Sequence, residues 1–384
     1  MTFSDSRYAH RERTLGGRVP GSFSGEARLP SPGKIAGRSV RVGAAGAGRT
    51  ARRRTNPDCH DRDAIALGRG RNDGVTMTQS TTAALHIRGS TIRYAEVARE
   101  QEAHDLQRLG GQTFSFDVMR ALWQGEETDA LDGVSEALRG MLAGLDAGAL
   151  RVVVHPLDAF SFFTPIPAGL SESERRQHVT SQAALVTGAR SPDTLALSLQ
   201  TVRPVEGHEA VEWVHVLALP QGVGERMDAL TDSLPVRTVT RMVSSEAAAR
   251  IVGHTEHPNA SVAENEAAYS LAIGRYATHT EYALVRNGAW HHAHATQEAR
   301  TAGNRAYYAV GFLNRVDVSA QAVDRLFAYG PEAGPEGPLE AVFDCSPVSL
   351  NPFDGLRRVP DRFKDRDRGT EYVPAIGGAS AGLD

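Results

Sequence analysis

The segments of this chain best equipped for chemistry are glycine turns that follow short apolar strands. The first is Gly89-Ser90-Thr91, with His86 and Arg88 before it and Arg93 after it. Others surround Gly274 and Gly330. Glycine lets backbone N–H groups approach an anion closely, and the Arg88 and Arg93 guanidinium groups suit a phosphate. Other constellations are weaker. His291, His292 and His294 fall in one predicted strand, and His292 and His294 share a face that would suit a metal. No nearby Cys, Asp or Glu completes that set, so a solvated strand face is expected. Ser171, His178 and Asp193 supply the residue types of a catalytic triad, but the sequence has no Gly-x-Ser-x-Gly elbow. The run at 361–368 (DRFKDRDR) alternates in sign and reads as a solvated face or loop, or as an interaction surface. Tyr307, Tyr308 and Phe312 read as core.

The chain that must position these residues has 384 of them, 41% hydrophobic and 23% charged. That is ordinary globular usage with room for two or three domains. No apolar run reaches the roughly 18 residues of a membrane helix. The Arg-studded N-terminus has no apolar segment of the secretory kind. Cys59 and Cys345 are too few for a disulfide framework and lack zinc spacing, so a cytoplasmic protein is expected. The net charge of -4 hides an asymmetry. Residues 1–76 carry about 15 basic and 7 acidic side chains, and the remainder is acidic. An acidic body argues against a nucleic-acid groove.

Residues 1–76 show neither helical nor strand periodicity. They offer little to bury against their ordering entropy, so they are expected to be disordered. Two readings stay open: a basic arm for anionic partners, or sequence upstream of a true start at Met77. Strands are predicted at 84–87 and 92–98, either side of Gly89-Ser90, with β character over 114–123. Val134, Ala137, Leu138, Met141, Leu142 and Leu145 predict a helix over 131–145. The apolar run 150–154 reads as a buried strand. Next comes a small α+β insert: a strand at 160–163 ending at Pro165 and Pro167, then a helix over 173–185 opened by a Ser171/Glu174 capping box. Strands at 195–202 and 212–219 and a helix at 224–234 complete it. A strand at 236–242, a helix at 245–251 and a polar loop at 254–264 lead to the second half. There, a strand at 268–273 and a turn at 274–276 precede strands at 280–286 and 289–296, joined by an Asn287-Gly288 hairpin turn. A helix over 297–313, a strand at 324–329, an apolar piece at 343–350 and a small-residue helix at 373–381 follow.

Each half thus begins strand, glycine turn, strand, strand, helix. That layout resembles the actin, Hsp70 and sugar-kinase superfamily, in which each half offers a glycine turn to the phosphates of ATP. A closer resemblance lies in four segments. The stretch 85–97 (LHIRGSTIRYAEV) resembles the opening strand pair of PilM and FtsA proteins. Residues 314–329 (NRVDVSAQAVDRLFAY) resemble the approach to their adenosine turn. LNPF at 350–353 with LRRVP at 356–360, and YVPAIGGA at 372–379, resemble C-terminal patterns of PilM. The resemblance implies an α/β, actin-like (ribonuclease H-like) duplicated fold with a small α+β insert domain. The first half would be 77–155 and 236–265, the insert 156–235 and the second half 266–384.

The chain departs from the family at the nucleotide turns. Where the family places an Asp and, next but one, a Gly, this chain has His86 and Arg88. The second turn has Ala272 before Gly274 where an Asp is the pattern. Around Gly330 the consecutive glycines of the adenosine turn are missing. Carboxylates are what hold magnesium beside phosphates, and positioning is most of phosphoryl-transfer catalysis. The expectation is therefore a pseudo-ATPase with no resident cofactor, in which Gly89, Ser90, Thr91, Gly274 and Gly330 with His86, Arg88 and Arg93 would support at most weak ATP binding. The resemblance further implies a scaffold at the inner face of the inner membrane, in a type IV pilus or type II secretion machine. Its partner would be the N-terminal peptide of a PilN-like protein, held in a groove between the insert and the first half by strand or groove docking. Contact with the membrane would come only through that partner, and self-association is compatible with it. An FtsA-like tether would carry an amphipathic C-terminal helix, which 379–384 (ASAGLD) is not. An active kinase would need the carboxylates that His86 and Ala272 replace.

Overall fold

The structure is a computed structural model that describes residues 80–383, apart from 101–102, 126–127, 146, 204–209, 256–267, 335 and 365–368. The expectation of disorder over 1–76 and most of the expected loop at 254–264 lie outside the described residues.

Two sheets repeat one plan. In the first half, β1 (Ser80–Arg88), β2 (Thr91–Glu100) and β3 (Ala103–Thr113) form an antiparallel meander. Helices α1 (Val118–Gln124) and α2 (Thr128–Met141) lead to β4 (Ala149–Val154), which lies parallel to β1. The insert then adds β5 (Phe160–Pro167), α3 (Glu172–Thr187), β6 (Leu195–Arg203) and β7 (Val211–Pro220). Its antiparallel sheet has the order β5-β7-β6 and packs on α3. Helix α4 (Gln221–Thr231) packs against α1 and α2, where Arg226 Nε donates to the Leu122 carbonyl at 2.6 Å. Strand β8 (Thr238–Val243) joins β4 in parallel, so the first sheet reads β3-β2-β1-β4-β8. After α5 (Ser244–Thr255), the second half builds β9 (Tyr269–Arg275), β10 (Thr280–Arg286) and β11 (Ala289–Thr296) as a second meander. Helix α6 (Ala302–Arg315), β12 (Val323–Tyr329), α7 (Gly337–Phe343) and β13 (Val348–Ser349) follow. The second sheet, β11-β10-β9-β12-β13, repeats the order and directions of the first. This is the duplicated α/β layout, with its α+β insert, that the sequence predicts.

The chain ends with α8 (Asp361–Lys364) and α9 (Val373–Ser380). Every residue of α9 is buried. The expected boundary puts this helix with the second half, but α9 lies against β1, β2 and β4 of the first. Its other side meets α5, which in turn packs on β9, β10 and β11. The layer between the halves is therefore a helix pair rich in small residues, with Gly377 of α9 against Ala247 of α5 and Gly378 against Ala84 and Val153 of the first sheet. Large side chains there would hold the two sheets apart.

Several local expectations are corrected. The third strand is 103–113, not 114–123; Phe114 and Phe116 precede α1, whose first turn is capped by Asp117. Polar residues hid β3: His104 and Asp105 are buried, and Asp105 receives Arg357 through Nε at 3.0 Å and Nη2 at 2.6 Å. Pro165 lies inside β5, which an edge strand tolerates because it needs no outward N–H, and the strand ends at Pro167 as expected. Gly274 and Arg275 belong to β9, and the turn comes later. The helix expected at 297–313 begins only after its Thr301 cap, and short α7 fills part of the stretch before 350. Of the expected aromatic core cluster, Phe312 is buried and Tyr307 is exposed.

The α5–α9 contact gives a sharp test. A Cβ on Gly377 would lie 2.0 Å from the Ala247 carbonyl oxygen, so Gly377→Ala must move one helix. A stability loss of about 1–3 kcal/mol is expected, read as a lower denaturant midpoint at unchanged slope. An unchanged midpoint would refute the close packing.

Candidate functional site

The ends of strands from the two halves converge on one buried polar cluster. His86 sits near the end of β1, and His155 directly follows β4. Ser244 opens α5. From the second half come Tyr276 and His279 in the β9–β10 turn, Glu281 on β10 and Tyr329 at the end of β12. All seven side chains are buried, Glu281 with 0% exposure.

Glu281 is the hub. Its Oε1 contacts His155 Nδ1 and accepts from His279 Nε2 at 3.0 Å. Ser244 Oγ lies 2.8 Å from both carboxylate oxygens, and the Tyr329 hydroxyl donates to Oε2 at 2.8 Å. Four donors thus meet the lone pairs of one carboxylate. Ser244 also places that carboxylate by the positive end of α5. Burial alone would push the Glu281 carboxyl up, but the His155 charge and hydrogen bonds from His155 and His279 outweigh it and hold the group well below its ordinary range. The same burial, with the Glu281 charge, pushes the Tyr329 phenol up, so it keeps its proton as donor. His86 Nε2 is 3.3 Å from His155 Nε2. Burial, then the charges of His155 and Arg88, hold His86 well below its ordinary value, so it is a neutral imidazole. The Tyr276 ring stacks on His279, with centroids 4.7 Å apart, and meets His155 edge-on at 4.5 Å.

Sequence-derived candidates take up distinct places around this cluster. His86 belongs to it. Arg88 is half-buried, with its guanidinium 5.9 Å from the centre of the Tyr276 ring in the other half. Gly89 has φ +52° and forms the β1–β2 turn with Ser90. The carbonyls of Gly89 and Ser90 accept from Val118 N at 2.8 Å and Phe114 N at 2.7 Å, which anchors the entry to α1. Thr91 pairs with Arg88 and Thr113 across the sheet. Gly274 lies between Glu281 and Tyr329 in the ladder, and a Cβ there would come within 2.5 Å of the Tyr329 ring. The absent side chain lets the phenol cross β9 to reach Glu281. Arg93 and Gly330 are brought together by neither phosphate geometry nor the cluster, but by the turn at 369–372. Arg93 pairs with Glu371 and covers the Tyr372 ring at 4.7 Å. Gly330 donates to the Thr370 carbonyl at 3.1 Å and accepts from the Thr370 hydroxyl at 3.0 Å.

The expectation of a carboxylate-poor region needs correction. Besides Glu281, the topology brings Asp117 beside Gly89 and Asp158 within electrostatic reach of His155 and His279. Asp117 is engaged as the α1 cap, accepting from Arg120 N at 2.9 Å. Burial raises the Asp158 carboxyl. Sequence motifs missed His155, Ser244, Tyr276, His279, Glu281 and Tyr329. The available signals were His279 and Glu281 two apart on one strand face, and a histidine ending the apolar run of β4. Among the described residues, His155, His279 and Glu281 are the group whose donor atoms could meet on a metal, all lying within 4.8 Å of one another.

The other histidine set is not solvated as expected. His291 is buried, and His292 packs on Phe163 of the insert at 4.0 Å between ring centres. Burial brings His291, His292 and His294 down to about 4, so they pack as neutral rings. Ser171 is committed to the α3 capping box rather than to a triad.

A second feature lies between the insert and the first half. Strand β6 has a ladder partner on one side only, and β8 is likewise an edge. Between them is a cleft of 270 Å³ lined by Arg151, Gln200, His215, Thr240, Arg241 and Glu246 among others. A neighbouring cleft of 340 Å³ continues along α5 to the β10–β11 hairpin and shares Gln200 and Arg250 with the first.

No family model matches the sequence, and no curated protein is similar to it. Solved structures are. The chain superposes on the PilM-PilN type IV pilus biogenesis complex with a TM-score of 0.60, at 15% identity, covering 79% of this chain and 98% of that one. A Bacteroides thetaiotaomicron protein with an actin-like ATPase fold and unknown function matches at 0.42 and 11% identity, over 74% and 97% of the two chains. The cytoplasmic domain of EpsL, an inner membrane component of the type II secretion system of Vibrio cholerae, matches at 0.36 and 12%, over 66% and 84%. The first of these, with the repeated sheet order, shows that the chain has the actin-like fold that the sequence resemblance implies.

His215, in the wall of the cleft, gives a pH test. It contacts Ser161 Oγ through Nε2 at 2.9 Å, and burial, with a smaller effect of His292, lowers it from 6.5 to about 3. The unfolded chain takes up this proton first, so the stability it contributes is complete above pH 6.5 and is lost progressively toward pH 3. Between pH 6.5 and 5 the loss is on the order of 2 kcal/mol. Chemical denaturation of His215→Gln should show a shallower decline over that range. A decline equal to that of the unsubstituted protein would contradict the buried neutral state.

Proposed function

We propose that this protein is a non-catalytic scaffold of a type IV pilus or type II secretion assembly platform. It holds a short cytoplasmic peptide of a PilN-like inner-membrane partner in the cleft between β6 and the first half. The observation that carries this reading is the open edge of β6 facing a charged cleft, in a fold shared with the PilM of a PilM-PilN complex. An exposed strand edge offers unpaired N–H and C=O groups, so an extended peptide can add to it as a further strand. Arg151, Arg241 and Arg250 beside Glu246 then supply charge for selecting side chains. Among the described residues no helix is long and apolar enough to cross a membrane, so attachment through the partner is the economical arrangement.

The nucleotide side of the fold supports the same reading. Gly274 serves the Tyr329–Glu281 hydrogen bond, and Arg93 and Gly330 are held by the turn at 369–372. Two of the three nearby carboxylates, Glu281 and Asp117, are engaged by donors of the protein itself. Magnesium binding would have to displace those contacts before it could position a phosphate. The protein therefore acts as a pseudo-ATPase whose two halves are tied together by protein groups.

The test is fluorescence anisotropy with a labelled peptide from the N-terminus of the PilN-like protein of the same genome. Saturable binding is expected. Gln200→Trp, which fills the point shared by the two clefts, should weaken it at least tenfold, about 1.4 kcal/mol. Equal affinity in the variant would place the peptide elsewhere, and no binding by the unsubstituted protein would sink the scaffold reading.

A further inference from the structure

We infer that His155, His279 and Glu281 form a binding site for one divalent transition-metal ion, zinc in the first instance, joining the two halves at the buried cluster where they meet. The peptide-docking reading neither requires nor supplies this site.

The donor geometry is the first argument. Tetrahedral zinc holds nitrogen and oxygen ligands at about 2.0–2.1 Å, which puts ligand atoms roughly 3.3 Å apart. His279 Nε2 is 3.2 Å from His155 Nδ1 and 3.0 Å from Glu281 Oε1, and His155 Nδ1 also contacts Oε1. Ser244 Oγ lies toward the remaining corner, 2.8 Å from Oε1 and 3.3 Å from His155 Nδ1. Two imidazoles and one carboxylate are a zinc-type set, whereas magnesium prefers oxygen ligands alone.

Electrostatics is the second. Without an ion, both imidazole nitrogens must carry hydrogen to serve Glu281, and two N–H groups then face one another across 3.2 Å. A cation accepted by both lone pairs removes that conflict. It also supplies the opposite charge that a fully buried carboxylate needs. On binding, the hydrogen on each ligating nitrogen leaves it, to the other ring nitrogen or to solvent.

The surroundings are the third. Ligating histidines are oriented by a partner on the ring nitrogen that faces away from the metal. Here His279 Nδ1 lies 2.9 Å from Thr278 Oγ1, and His155 Nε2 lies 3.3 Å from His86 Nε2. Tyr329 holds the far oxygen of Glu281 at 2.8 Å. Each of the three ligands is thus fixed from behind, by residues of both halves.

The full chain, stripped with a chelator and confirmed folded by circular dichroism, would be titrated with zinc sulfate and separately with cobalt(II) chloride. One tight equivalent is expected, with a raised melting temperature for zinc and intense visible d–d absorption for four-coordinate cobalt. His279→Gln and Glu281→Gln should lose that equivalent, while His294→Gln, outside the cluster, should keep it. Thr278→Val, which leaves all three ligands in place, should weaken zinc binding about tenfold. A folded chain that takes up no metal overturns the proposal. So does a tight equivalent that survives in folded His279→Gln and Glu281→Gln, because its ligands then lie elsewhere. If neither variant folds, the tenfold effect of Thr278→Val decides, and unchanged affinity there counts against the site.

Discussion

A buried carboxylate between two domains governs this structure. Removing an ionised Glu from water costs several kcal/mol unless its lone pairs and its charge are met. Glu281 meets that demand only because four side chains from separate elements arrive together: His155 from the first half, Ser244 from the helix between the halves, and His279 and Tyr329 from the second. None of the donors could be withdrawn alone without leaving a buried charge underserved. The halves are therefore held in one relative position by a polar contact at the very place where the actin-like fold presents its glycine turns. The small residues of α5 and α9 complement this, since they let the two sheets approach closely enough for the donors to reach.

Helix α5 links the two features of the molecule. Its first residue, Ser244, donates to Glu281, and Glu246 and Arg250 further along the helix line the cleft beside β6. Both faces of the helix are enclosed by packing against α9 and the second sheet. A rigid helix fixed at its N-terminus by the buried cluster keeps the wall of the cleft in place, and a preorganised groove loses less entropy when a peptide binds. A scaffold gains from such fixity, whereas a nucleotide-cycling machine depends on domain movement.

Local signals made much of the fold legible. The Asn287-Gly288 turn, with φ of +51° and +75°, sets β10 and β11 at their predicted bounds. The Ser171/Glu174 capping box opens α3 as predicted, and the repeat of strand and turn disclosed the duplication. Strand β3 was illegible because His104 and Asp105 stand among its buried positions, and the Asp105 carboxylate is satisfied by Arg357 more than 250 positions away. The candidate site divided in the same way. Turn glycines and their flanking arginines are visible as a motif, yet the structure gives Gly274 to a tyrosine, and Arg93 and Gly330 to the turn at 369–372. The hub itself joins His155 to Glu281 across 126 positions, and no periodicity or spacing marks such a meeting.

The most direct test of the proposal that protein groups occupy the place of a nucleotide is equilibrium binding of a fluorescent ATP analogue to the full chain with excess magnesium, with phosphate release followed in the same samples. No saturable binding and no phosphate release above the protein-free control are expected. Magnesium-dependent saturation with turnover, abolished by Gly274→Ala, would contradict it and return the fold to the active ATPases.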